Sequence, residues 1–98
     1  MDAPLLTELS APPDEREQGG TEVLRAFVVN GGLSISIQRA FEDPAIWGRA
    51  LADIARYVAG LYGRESGFDE TESLDEIVRI FRAELAEPFS PDMSDPRI

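Results

Sequence analysis

The chain has 98 residues and a net charge of −10, with 19 acidic side chains against 9 basic ones, every basic one an arginine, and no histidine or cysteine. That length suits one domain near the lower limit for a core without staples. The composition removes disulfides, thiolate metal sites, imidazole bases, Schiff-base lysines and Walker-type phosphate loops together, and the charge works against nucleic acid and anionic membrane surfaces, whose affinity rests on cationic contacts.

Residues 1–20 mix proline, acids and a "GG" pair and are expected to form a flexible tail. Leu5, Leu6 and Leu9 are its apolar exception, and docking of these leucines on the folded part is one way the domain edge is covered. "MDAPLLTELSAPPDE" is acidic ahead of a brief apolar patch, unlike a signal peptide. The most apolar run, Pro44 to Tyr62, is interrupted by Arg49, Asp53 and Arg56, unlike a membrane span. The expectation is a soluble cytoplasmic protein with no membrane partner.

A single ββαα domain is expected over residues 21–87. "EVLRAFVVNGGLSISIQ" (Glu22 to Gln38) reads as strand, turn and strand, because Leu33, Ile35 and Ile37 alternate with Ser34, Ser36 and Gln38. Asn30 to Gly32 supply residues that accept positive φ in a tight hairpin turn. Parity sets the register: an even loop puts Leu24, Ala26 and Val28 beside Leu33, Ile35 and Ile37, while an odd loop would bring Arg25 and Phe27 into the core. The even loop is therefore expected.

Asp43 as N-cap and Pro44 at the first helical position open a helix running to about Tyr62, with Gly63 placed to end it. Trp47, Leu51, Ile54, Val58 and Leu61 form its apolar stripe, and Arg49 stands at pairing distance from Asp53 along the chain. The second helix starts at "DETESLDE", capped by Asp69 with Glu72 or by Ser73 with Glu76. Its face is Leu74, Ile77, Val78, Phe81 and Leu85; acids at its start and Arg79 and Arg82 later suit the helix dipole, and Pro88 ends it. Residues 88–98 form a second flexible tail.

The fold class is therefore α+β: a β-hairpin backed by two antiparallel helices. A lone hairpin is marginal, and the uncharged strand "LSISIQ" is an aggregation hazard as a bare edge. Either a second copy pairs with that edge, giving a four-stranded sheet across a homodimer, or the N-terminal leucines cover it.

Little chemistry sits on this frame. Asp69, Glu70, Glu72, Asp75 and Glu76 lack the spacing and central glycine of a calcium loop and read as an ordinary acidic helix start. No pair of carboxylates stands out for sugar hydrolysis, no base accompanies the serines, and "NGGLS" leads into a strand rather than a phosphate-binding helix. No catalytic residue, metal ligand or cofactor is predicted.

"EVLRAFVVNGGLSISIQRAFEDPAIWGRALADIARYVA" (Glu22 to Ala59), followed by an amphipathic helix, resembles the small bacterial family known as domain of unknown function 5076. The resemblance rests on "EVLRA", "GGL", "DPAIWG" and "LADIARYVA", with Ser34 and Tyr57 standing where a histidine would be expected. It implies a compact bacterial domain and no particular activity.

The expected function is a non-catalytic protein-interaction or regulatory module with an unidentified protein partner, contacted through Ser34, Ser36, Gln38 and Phe27 on the hairpin and Tyr57 and Tyr62 on the helix. The alternative is a binder of an anionic metabolite, with a pocket under Trp47 and Tyr62 and with Arg25 or Arg56 fixing the charge.

Overall fold

The computed structural model describes residues 5–13 and 18–88. Strands β1 (Leu24–Val29) and β2 (Gly32–Ile37) precede helices α1 (Pro44–Glu65) and α2 (Glu70–Ala86). This is the expected β-β-α-α order of an α+β fold. The expected tails fall partly on residues 1–4, 14–17 and 89–98, outside those described.

The hairpin follows from its turn. Asn30 and Gly31 take φ of 52° and 80°, the pair of left-handed residues that a type I′ turn requires and that matches the twist of the flanking strands. The resulting register places Leu24 opposite Ile37, Ala26 opposite Ile35 and Val28 opposite Leu33. Parity alone decided this, since any odd loop would have mixed Arg25 into the aliphatic face. Gln38 lengthens the ladder at the base: its backbone N–H donates to Val23 O at 3.1 Å and its Nε2 to Glu22 O at 2.8 Å.

Helix α1 opens as the sequence suggests, with Asp43 accepting from the Ala45 N–H at 2.9 Å and Pro44 in the first turn. It does not stop at Gly63. The helix continues to Glu65, Ser66 N–H donates to Tyr62 O, and the left-handed residue that reverses the chain is Gly67, at φ 75°. Gly63 serves a different need: a Cβ there would lie 3.2 Å from Glu70 Cβ and 3.7 Å from the Glu70 backbone. The missing side chain lets the start of α2 lie against α1.

The two helices pack through the small-residue side of α1. Ala59 is fully buried and Gly60 is buried, with Ala55 and Gly63 half-buried beside them. Consecutive helical residues are about 100° apart, so this side is turned by roughly that angle from the predicted stripe through Val58. The stripe itself stays partly open, with Leu51, Ile54 and Leu61 each more than 40% exposed. Periodicity had identified an apolar face, but α2 took the neighbouring one, where the backbones approach more closely. Asp53 likewise pairs with Arg56 at 3.2 Å rather than with Arg49.

Helix α2 is capped by Asp69, whose Oδ1 accepts from the Glu72 N–H at 2.9 Å, while Ser73 lies within the helix. Leu74, Ile77 and Val78 are half-buried; Phe81 and Leu85 at the far end are exposed. The helix ends at Ala86, before Pro88. Asp69→Ala should lower stability by about 1 kcal/mol, the usual loss when a capping acceptor is removed, measurable as a lower midpoint in urea.

The hairpin faces this helical pair without being seated on it. Among the described residues no strand Cα comes within 8 Å of a helix Cα, and Ala59 is the only fully buried hydrophobic side chain.

Candidate interaction surface

The two faces of the hairpin differ in chemistry. The outer face carries Arg25 and Phe27 opposite Ser36 and Ser34. Arg25 is engaged there: its guanidinium donates to Glu8 at 2.6 Å and to Glu22 at 3.1 Å, and lies 5.8 Å from the centre of the Phe27 ring. Its hydrogen bonds to Glu8 and then to Glu22 push its pKa above the ordinary arginine value. Glu8 thus ties the N-terminal segment to the sheet, while Leu5, Leu6 and Leu9 remain 93%, 66% and 97% exposed. The inner face has no charge at all. Its aliphatic residues at the tip, Val28 and Leu33, are 78% and 66% exposed.

Hydrogen-bond direction in the ladder assigns the edge. Gln38 N–H points to β1, and in an antiparallel strand this direction alternates residue by residue. The N–H groups of Ser34 and Ser36 therefore also point to β1, and those of Leu33, Ile35 and Ile37 point outward. Ser36→Pro would remove a bond within the hairpin rather than a free edge donor. It should melt the hairpin, at a cost of about 2 kcal/mol, with the helical circular dichroism retained; amide exchange in β1 reads the loss.

A tight corner joins the hairpin to α1. Phe41 N–H donates to Arg39 O at 2.6 Å across Ala40, which sits at φ 64°, the geometry of a γ-turn that a side chain accepts only under strain. Trp47 holds this corner. Its Nε1 donates to the same Arg39 carbonyl at 2.5 Å, and its ring meets Phe41 edge-on at 5.4 Å. Beyond the indole lies a cleft of about 530 Å³ between the inner sheet face, including Ile35 and Leu33, and Trp47 and Leu51 on α1. Nothing in "RAFEDP" signals this arrangement, because the positive φ falls on an alanine.

The remaining predicted residues are dispersed. Tyr57 is 75% exposed on α1. Tyr62 meets Phe68 edge-on at 5.9 Å and lines a second recess of about 380 Å³ with Ile77 and Ile80, rimmed by Asp69, Glu72 and Glu76. Phe68 escaped the sequence reading, since it lies in the connection between helices and outside either periodic face. Trp47 and Tyr62 thus line different recesses, 15 residues apart on a helix rising about 1.5 Å per residue. Arg25 and Arg56 are each held by acids, and the rim beside Tyr62 is anionic. A common anion pocket is not assembled from these residues.

The acids at the start of α2 act locally. Glu76 grips Arg79 through two bonds of 2.6 and 3.0 Å, and Arg79 holds its pKa below the ordinary carboxylate range. A depressed carboxylate contributes stability above its unfolded pKa, about 4.3, and loses it as pH falls through the folded value. Both side chains are more than 60% exposed, so screening keeps the effect small. Among the described residues no three acidic side chains converge as a metal site would need, and no helix is long and apolar enough to cross a membrane.

The family model described as domain of unknown function (DUF5076) matches residues 8–89. A solved structure from the photosynthetic bacterium Rhodopseudomonas palustrus CGA009, provisionally named a pyruvate dehydrogenase, is 50% identical; the match covers 92% of this chain and 91% of that one, with a TM-score of 0.70. No curated protein matches the chain.

Proposed function

We propose, for a chain that belongs to the DUF5076 family, a non-catalytic role as a small protein-interaction or regulatory module whose working surface is the hairpin. The observation that carries this reading is the open inner sheet face, uncharged and exposed at Val28 and Leu33. An apolar sheet face of this kind is ordinarily covered by another layer, and its neighbouring N–H groups at Leu33, Ile35 and Ile37 can pair with an added strand. Its setting in this reading is the cytoplasm of a bacterial cell, which the absence of cysteine suits.

The provisional name of the 50%-identical structure raises an enzymatic reading, which the site supports less well. Decarboxylating a 2-oxo acid requires an electron sink and positioned proton-transfer groups. The chain has neither histidine nor lysine, and its larger cleft is lined by aliphatic side chains, Trp47, Gln38 and Arg39, with no carboxylate. The recess at Tyr62 has carboxylates only on an open rim.

The test combines turnover, ligand binding and mass. The wild-type chain is expected to consume no pyruvate with a redox dye as acceptor and to show no thermal shift across a metabolite library. Ile35→Lys is expected to change the mass measured by light scattering while the helical signal persists. Turnover abolished by a carboxylate substitution would overturn the reading, as would a metabolite giving the roughly 2.7 kcal/mol of stabilisation that accompanies a concentration 100-fold above Kd.

A further inference from the structure

We infer that the partner of the open sheet face is a second copy of this chain, packed so that the α1 stripe of each protomer covers the hairpin of the other. The inference rests on the interaction reading and names the occupant of that same surface.

The chain carries both halves of the missing contact. One half is the aliphatic sheet face, open at Val28 and Leu33; the other is the α1 stripe, open at Leu51, Ile54 and Leu61. Each is uncharged, and sheet against helix is a standard two-layer arrangement. Within one chain the halves are held apart: among the described residues no strand Cα approaches a helix Cα within 8 Å, a cleft of about 530 Å³ lies between the sheet face and Leu51, and the Trp47 bond to Arg39 O clamps the corner between them. The cleft at Leu51 marks where a covering layer is absent.

The cover must also be permanent. With Ala59 the one fully buried hydrophobic side chain among the described residues, a lone chain has too little core to hold a domain of this length. A partner met only occasionally would leave the chain unsupported between encounters, whereas a second copy is present whenever the first is made. A two-fold axis supplies both missing contacts at once, since the same patch pair recurs on each protomer. The charge of −10 is no obstacle, as neither surface bears any of it.

Two exposed positions give a clean test. Leu33, 66% exposed, and Ile54, 41% exposed, tolerate charge in a single chain and resist it in the paired arrangement. The wild-type chain is expected to have twice its monomer mass in analytical ultracentrifugation. Leu33→Lys and Ile54→Glu are each expected to weaken self-association roughly 100-fold, the effect of charging an interface centre. An equimolar mixture of the two variants, refolded together, is expected to regain the dimer mass, because one lysine then meets one glutamate while the other contact stays native. If a variant unfolds alone, recovery of helical signal in the mixture reads the same pairing. A dimer surviving both substitutions would overturn face packing in favour of strand-edge pairing. A wild-type monomer that still takes up the dye ANS would overturn the second copy and leave another protein as partner. A monomer that excludes the dye, and is restored only when both substitutions lie in one chain, would mean that the cleft closes on itself; the interaction reading would then fail too.

Discussion

Replacing Gly63 by leucine should separate the two helices and cost about 3 kcal/mol, at the upper end of what overpacking costs a close contact. Even the first carbon of a side chain at this position would stand 3.2 Å from Glu70 Cβ, with the Glu70 backbone 3.7 Å away. That backbone belongs to the first residue of α2, so relief requires moving the whole helix start. Gly63→Ala is the informative companion. Its Cβ asks for a shift of a few tenths of an ångström, while alanine gains up to about 1 kcal/mol of helix propensity over glycine; the two effects nearly cancel. A steep fall in the thermal midpoint for leucine beside little change for alanine would confirm close approach as the reason for the glycine. Equal tolerance of both would mean that the helices are free to part.

Trp47→Ala should cost about 2–3 kcal/mol, less than the 3–5 typical of a fully buried tryptophan because the ring is only half-buried. The loss has separable parts. Trp47→Phe keeps an aromatic ring near Phe41 and removes the N–H that donates to Arg39 O, so it should cost about 1 kcal/mol, the net worth of one hydrogen bond. The difference between the two variants then reports the ring contacts. Without the indole, the positive φ of Ala40 is held only by the Phe41 bond to Arg39 O, and the hairpin should swing more freely relative to α1. Urea midpoints give the energies, and residual dipolar couplings across the corner give the freedom. Two variants of equal cost would place the whole contribution in the hydrogen bond.

Much of the fold was legible because its determinants are local. A two-residue loop of Asn30 and Gly31 settles the turn type, and the turn type with the alternation settles the register. Caps at Asp43 and Asp69 and the halt before Pro88 each depend on a backbone group within a few residues. These are hydrogen-bond and φ requirements that a short peptide already states.

What the tertiary structure decided were choices between partners that the pattern left equal. Helix α1 offers two adjacent apolar sides, one large and one small, and periodicity favours the large one. Helix α2 settled on the small one at Ala59, because close backbone approach outweighed side-chain bulk there. The same contact explains why Gly63, well suited to ending a helix, lies inside one. Asp53 had arginines within reach on either side and its bond went to Arg56. The strained corner at Ala40 and the indole that holds it bring together residues whose types announce no turn. Composition and alternation by themselves determined an acidic ββαα chain with an uncharged sheet face and a sparse catalytic vocabulary. Which apolar surfaces meet within one chain, and which stay open beside the cleft, depended on how closely whole elements approach, a property no single segment carries.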